Sequence, residues 1–281
     1  KPLYTKLCEA NNGKLYGLTK RGGKYGQGTL FEYNPATNSH ITKHSFNFLF
    51  AGRYPWGSLM LASNGMLFGM TSTGGANDYG TIFKYNPVSD TLIKVHDFDS
   101  INSGKNPHGS LIQANNGNLY GMTHGGGINN LGVLFEFDVN TNTCTKKFDF
   151  DSINGALPEG SLMQADNGKL YGLTHRGATW NDGVLFEYDP ATDTFLKLKN
   201  LNDSSNVSEP YGRLVQADNG KLYGMSENGG DNYKGTIFEY DYTTNNLEVK
   251  VSFSNHRPKG SLLKANNGKL YGITVYGGAN N

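Results

Sequence analysis

Along the 281 residues of this chain, apolar side chains gather in runs of five or six bounded by turn residues, and nowhere fall at the spacing of a helix face. Residues 157–208 show the grammar. A first segment, 160–165, is followed by the turn Asp166-Asn167-Gly168 and a second segment, 169–174. A longer loop leads to Gly183 and a third segment, 184–188; Asp189-Pro190 opens a turn into a fourth, 194–198. Short runs rich in Leu, Tyr, Phe, Val and Thr predict strands. The Asn-Gly pair predicts a tight hairpin, because both residues tolerate positive φ. The second and third segments are apolar on both faces, as Leu185-Phe186 shows, so each must be covered on both sides.

The second segment occurs six times. Its glycine falls at Gly17, Gly69, Gly121, Gly172, Gly224 and Gly272, a period near 50. A period of about 50 with four strand-like segments predicts an all-β fold, a β-propeller of four-stranded blades. The repeats run 1–53, 54–105, 106–156, 157–208, 209–256 and 257–281 within a single domain. The first and second segments occur six times, the third and fourth five times. Six blades, the last partial here, is the preferred ring, and five blades with an overlapping half-blade the second choice. The expectation is a piece of a longer protein.

Composition narrows the class. Lys and Arg number 25 against 24 Asp and Glu, a balance that argues against a nucleic-acid footprint. The apolar runs are too short for a membrane-spanning helix. Two cysteines, Cys8 and Cys144, make neither a disulfide framework nor a zinc site.

The phrases Gly13-Lys14-Leu15-Tyr16-Gly17-Leu18-Thr19, Gly22-Gly23 and Gly28-Thr29-Leu30-Phe31, recurring along nearly the whole chain, resemble the GloVer tandem-repeat family of exported bacterial proteins. The aromatic-to-proline stretch Phe150, Asn154-Gly155-Ala156-Leu157-Pro158 is similar too. The chain departs from the family where Leu, Met or Ile replaces the first Thr of the phrase, and where Ala178 replaces the second Gly. The resemblance implies a secreted or surface-anchored protein and transfers no catalytic residue. A looser likeness is to kelch repeats, which would carry Trp where Phe195 or Leu92 stands.

Equivalent positions within one chain separate what the fold requires from what is free to specialise. In the Pro-x-Gly phrase that leads into each first segment, x is Trp56, His108, Glu159, Tyr211 and Lys259, five chemical types. After the second segment come Lys20-Arg21, His124, His175-Arg176 and Glu227. The loop beyond adds Tyr25, Tyr79, Trp180 and Tyr233. In an antiparallel blade these positions share the face of longer connections. Aromatic faces flanked by carboxamides and charges suit sugar rings. The expected binding set is therefore Trp56, His108, Glu159, Tyr211, Lys259, Arg21, His124, Arg176, Trp180 and Tyr233. No cofactor or metal is expected: no His-x-x-x-His or Cys pair occurs, and Asp97–Asn102 fails as a calcium loop because Ile101 stands where an oxygen ligand is needed. The expected function is binding of a glycan or a surface protein at the cell surface. A scaffold role is the alternative, and a carbohydrate-active enzyme using Glu159 and Glu227 a weaker third.

Overall fold

The computed structural model describes residues 6–201 and 206–276. The described chain is all-β, built from one repeated antiparallel sheet, and it divides into two compact units, Lys1–Asp149 and Phe150–Asn281.

The first unit holds three sheets. One runs Cys8–Glu9, Leu15–Thr19, Thr29–Asn34, Ser39–Ser45 in sequence order. In the next, Met60–Leu61 and Arg53–Pro55 both pair with Leu67–Thr73, which continues to Thr81–Asn86 and Thr91–Asp97. The last runs Ile112–Gln113, Leu119–Thr123, Val133–Asp138, Thr143–Asp149. The second unit repeats the plan with Met163–Gln164, Leu170–Thr174, Val184–Asp189, Thr194–Asn200 and with Val215–Gln216, Leu222–Ser226, Thr236–Asp241, Asn246–Ser252. Its final sheet has two strands, Leu263–Lys264 and Leu270–Tyr271.

The second strands Leu119–Thr123 and Leu170–Thr174 are buried along their whole length, as two covered faces require. In the five sheets that have a third strand, the second-strand glycine lies in register with a phenylalanine of that strand, as Gly121 does with Phe135 and Gly172 with Phe186. A Cβ on Gly172 would sit 2.3 Å from the Phe186 ring and 2.9 Å from Leu162. Glycine is thus fixed here by ring packing rather than by turn geometry.

Two features differ from the sequence expectation. The first segment, read as six residues, forms only two ladder residues in each sheet. Its upstream half instead lies backbone to backbone against the neighbouring repeat: a Cβ on Gly57 would meet the Gly109 carbonyl oxygen at 2.2 Å, and one on Gly160 the Gly212 oxygen at 2.3 Å. Serine hydroxyls stitch that seam, with Lys6 N–H donating to Ser58 Oγ and Ser58 N–H to Ser110 Oγ, both at 2.8 Å. The Asn-Gly turn also differs, because only its glycine takes positive φ, +81° at Gly168. The turn closes by Gly168 N–H to Ala165 O and Ala165 N–H to Lys169 O, a three-residue loop ending in a glycine bulge. Asn167 contributes through its side chain, with Oδ1 accepting the Lys169 N–H and Nδ2 donating to Tyr171 Oη.

The Asp-rich links hydrogen-bond their own backbone. Asp99 accepts the N–H groups of Asn102 and Ser103, and Asp151 those of Ile153 and Asn154. Burial raises the pKa of both carboxyls, but these hydrogen bonds outweigh it and the net direction is down.

Candidate functional site

The lead-in to each first strand is shaped by the residue before its proline. Tyr54, Asn106, Leu157 and Glu209 all adopt left-handed backbone, with φ between +51° and +56°. Bulky side chains rarely accept that region. Here the turn is held from both sides. Tyr54 N–H donates to Gln27 O, Asn106 N–H to Tyr79 O and Glu209 N–H to Asp182 O. The carbonyls of Asn106 and Glu209 accept the N–H of His124 and Glu227. The same turn therefore ties the variable residue of Pro-x-Gly to the first residue after the second strand.

In the first unit those ties produce a continuous stack of half-buried side chains. The Lys20 ammonium lies 3.1 Å from the Trp56 ring centroid. Trp56 stacks on His108 at 4.3 Å and 20°, and His108 on His124 at 4.6 Å and 22°. Sequence reasoning named Trp56, His108 and His124, and the fold brings them together; Lys20 was noted only as the neighbour of Arg21, which is exposed. The ammonium over an indole is a cation–π contact and both stacks are offset ring pairs. Both faces of Trp56 are therefore covered, so it offers its edge to a ligand unless Lys20 or His108 moves.

The second unit carries the same positions with different chemistry. Tyr211 packs on His175 at 4.2 Å, and the Lys259 ammonium lies 4.5 Å over its ring. Lys259 also pairs with buried Glu227 at 2.8 Å, with the Arg257 guanidinium 3.8 Å from the same carboxylate. Arg176 pairs with Glu209 at 2.6 Å, and Asn228 donates to the other Glu209 oxygen at 2.8 Å. Glu159 is half-buried. Trp180 and Tyr233 stand on the outer loops, 69% and 63% exposed. Within this unit the expected set thus separates into the ion-paired Arg176 and Lys259, the ring Tyr211 that Lys259 overlies, half-buried Glu159, and two exposed loop aromatics.

The repeat matches the Gloeobacter/Verrucomicrobia repeat over residues 3–219. The chain belongs to that family. A search of curated proteins returns no match. Among solved structures, the extracellular domain of B. thetaiotaomicron BT4673, described as a one-component system in one structure and a hybrid two-component system in another, is similar at TM-score 0.67 and 16% identity in the former. The likeness covers 98% of this chain and 31% of that one. The extracellular domain of B. thetaiotaomicron BT3049, described as belonging to a hybrid two-component system, is similar at TM-score 0.58 and 15% identity, over 92% and 30% of the two chains. TolB of Acinetobacter baumannii is similar at TM-score 0.52 and 10% identity, over 89% of this chain and 55% of TolB. At these identities the likeness is one of fold. The chain spans about a third of the length of the BT4673 chain it resembles. Among the described residues no helix is long and apolar enough to cross a membrane.

One residue of this Gloeobacter/Verrucomicrobia repeat protein went unnoticed in its sequence. Arg213 occupies the position held by Ser58, Ser110, Ser161 and Ser261 in other repeats. Its backbone keeps the seam, donating from N–H to Ser261 Oγ at 2.9 Å. Its guanidinium is half-buried, and burial pushes its pKa down. The signal was available as a long cation at a serine position. Restoring the local rule by Arg213→Ser removes a partly desolvated charge, worth about 1 kcal/mol, and should raise Tm by about 2–4 °C in a thermal melt. A fall in Tm would show that the guanidinium supports the fold.

Proposed function

We propose that the chain is an exported, cell-surface recognition module whose repeats are blades of a β-propeller, and that it binds a glycan or a surface protein on the face of its longer connections. The observation that carries this reading is the Lys20–Trp56–His108–His124 stack. The fold requires a side chain at these positions but not these ones, since the second unit places Tyr211, Lys259 and Glu227 there instead. Aromatic edges beside amine and imidazole donors suit a polyhydroxylated ligand. The similarity to extracellular domains of B. thetaiotaomicron sensor proteins supports the cell-surface part of the reading. Trp180, Tyr233 and Arg21 are the exposed candidates at the rim; Tyr211, Lys259, Glu159 and Arg176 are the inner candidates of the second unit.

The test is a broad glycan array with Trp56→Ala/Trp180→Ala beside the parent protein. Selective binding that falls by about tenfold or more in the variant, with the β fold retained by circular dichroism, is the expected result. Equal affinity in both proteins would remove these two residues from the site. A blank array moves the reading to a scaffold role within a larger surface protein. That alternative draws on the same geometry, because Trp56, Tyr211, Glu227 and Arg176 are already engaged by neighbouring side chains.

A further inference from the structure

The near-zero net charge of this chain conceals a segregation. Residues 1–53 hold eight Lys and Arg against two Asp and Glu, and residues 54–281 hold 17 against 22, so the first repeat carries +6 and the remainder −5. Charge divided so unevenly within one chain points to a partner of opposite sign.

The link that follows the fourth strand of this repeat is as unusual as its charge. The tip Phe48-Leu49-Phe50 is 38%, 86% and 54% exposed. The equivalent links of the next two repeats read Ser100-Ile101-Asn102 and Ser152-Ile153-Asn154. Ile101 and Ile153 are themselves 55% and 65% exposed, so in all three repeats the tip stands in solvent. The first repeat alone of the three makes every tip residue apolar, two of them aromatic.

The framework under the tip is shared, but its negative charge is gone. Asp97 and Asp149 end the fourth strands of the next two repeats and accept the N–H groups of Ala76 and Ile128 at 2.9 Å. Ser45 does the same in the first repeat, accepting the Lys24 N–H at 3.1 Å. Asp151 accepts the N–H groups of Ile153 and Asn154, whereas Asn47 accepts those of Leu49 and Phe50 at 3.1 and 2.9 Å. Two carboxylates thus give way to neutral groups that keep the hydrogen bonds. Both ends of the link are tied to loop 20–28, Phe46 N–H to Gly28 O and Tyr54 N–H to Gln27 O. That loop supplies Lys20, Arg21 and Lys24 and no acid. Arg21 and Lys24 are exposed, and among the described residues neither pairs with a carboxylate. Arg53 lays its guanidinium 5.1 Å from the Phe48 ring centroid while pairing with Asp78 at 3.2 Å.

We propose that this rim docks on an anionic phospholipid surface, with Phe48, Leu49 and Phe50 entering the headgroup boundary and Arg21 and Lys24 meeting lipid phosphates. Apolar side chains beside unpaired cations are the chemistry of interfacial binding, in which burial of apolar area and attraction to anionic lipid act together. Leu49 has so little protein around it that the tip offers a wedge for a bilayer rather than a groove for a peptide. Docking uses neither Trp56 nor Trp180, so lipid docking and glycan binding can fail separately.

The experiment is flotation of the full chain with phosphatidylcholine vesicles, with and without about one-third phosphatidylglycerol. Binding to the anionic vesicles should be about tenfold or more stronger than to the neutral ones, and should weaken as salt is added. Phe48→Ser/Phe50→Asn installs the residues of the other links and should lower it by about tenfold, as should Arg21→Gln/Lys24→Gln, with the β fold retained by circular dichroism in both. Leu49→Trp should bind like the parent, and the emission of the added indole should shift to the blue on anionic vesicles as it leaves water. Absent binding, equal binding to both vesicle types, binding indifferent to the Ser/Asn variant, or an unshifted indole each overturns the proposal. Self-association of the free protein that is lost in the Ser/Asn variant, without vesicle binding, would make a second copy the occupant and also overturn it.

Discussion

Gly57→Ala should destabilise the fold by about 3 kcal/mol, measured by urea unfolding. The added methyl would lie 2.2 Å from the Gly109 carbonyl oxygen, 2.7 Å from its carbon and 3.0 Å from the Ser110 nitrogen. All three are backbone atoms, so no side chain can rotate away. The same seam carries the Ser58 N–H to Ser110 Oγ hydrogen bond, which would stretch as the backbones part. The control is Gly168→Ala. It has no atom within 4 Å of its Cβ, but its φ of +81° charges it about 1 kcal/mol of backbone strain. If Gly57→Ala costs no more than Gly168→Ala, the close backbone seam is wrong.

Stability should fall in two stages as pH drops, and each stage has its own residues. Burial depresses the pKa of His44 and His96 below the ordinary 6.5, with Asp99 and Asp97 acting the other way at His96. A depressed folded pKa means that the unfolded chain takes up the proton first. Their contribution is complete above pH 6.5 and is lost as pH falls from there towards the folded values. The second stage belongs to the carboxylates. Burial alone would raise Glu32 and Glu239. Hydrogen bonds from Lys14 and Tyr16, and from Lys221 and Tyr223, with the charges of Lys43 and Lys250, carry both below the ordinary 4.5. Their contribution holds above pH 4.5 and disappears below it. Tyr16, buried against this carboxylate, has its own pKa pushed up to about 12 by burial and by Glu32.

His44→Phe/His96→Phe should flatten the first stage and leave the second intact. Phenylalanine is the residue that occupies the equivalent position at Phe148, opposite Leu134 as His44 lies opposite Leu30. Glu32→Gln should cost about 2 kcal/mol at pH 7, because the Lys14 ammonium and the Tyr16 hydroxyl lose a charged acceptor, and it should flatten the second stage. Urea midpoints across pH 7 to 3 separate the two. A first stage that survives in the double histidine variant would reassign it to other groups.

The repeat and its strands were legible because the sequence writes the first two segments six times and the other two five times. The alternation of apolar runs with Asn-Gly and Asp-Pro turns is a local pattern, and a period near 50 is visible without knowledge of any contact. The candidate site was partly legible for the same reason: comparing the residue between Pro and Gly across repeats singles out Trp56, His108, Glu159, Tyr211 and Lys259. Arg213 escaped because it breaks a serine pattern that looks unremarkable until the serines are seen joining neighbouring repeats.

Sequence by itself determined the all-β class, the order of the strands within each repeat and the positions at which the repeats differ, because hydrophobic period and turn chemistry act within a few residues of the chain. Tertiary structure alone decided what those residues do to one another. It made the six-residue first segment a two-residue strand, because half of it packs backbone to backbone on the neighbouring repeat about fifty residues away. It closed both faces of Trp56 with Lys20 and His108, and it paired Lys259 with Glu227 while leaving Trp180 exposed. The physical reason is range. Propensity is a property of neighbours in sequence, whereas stacking, ion pairing and close backbone approach depend on distances that only the packed repeats establish.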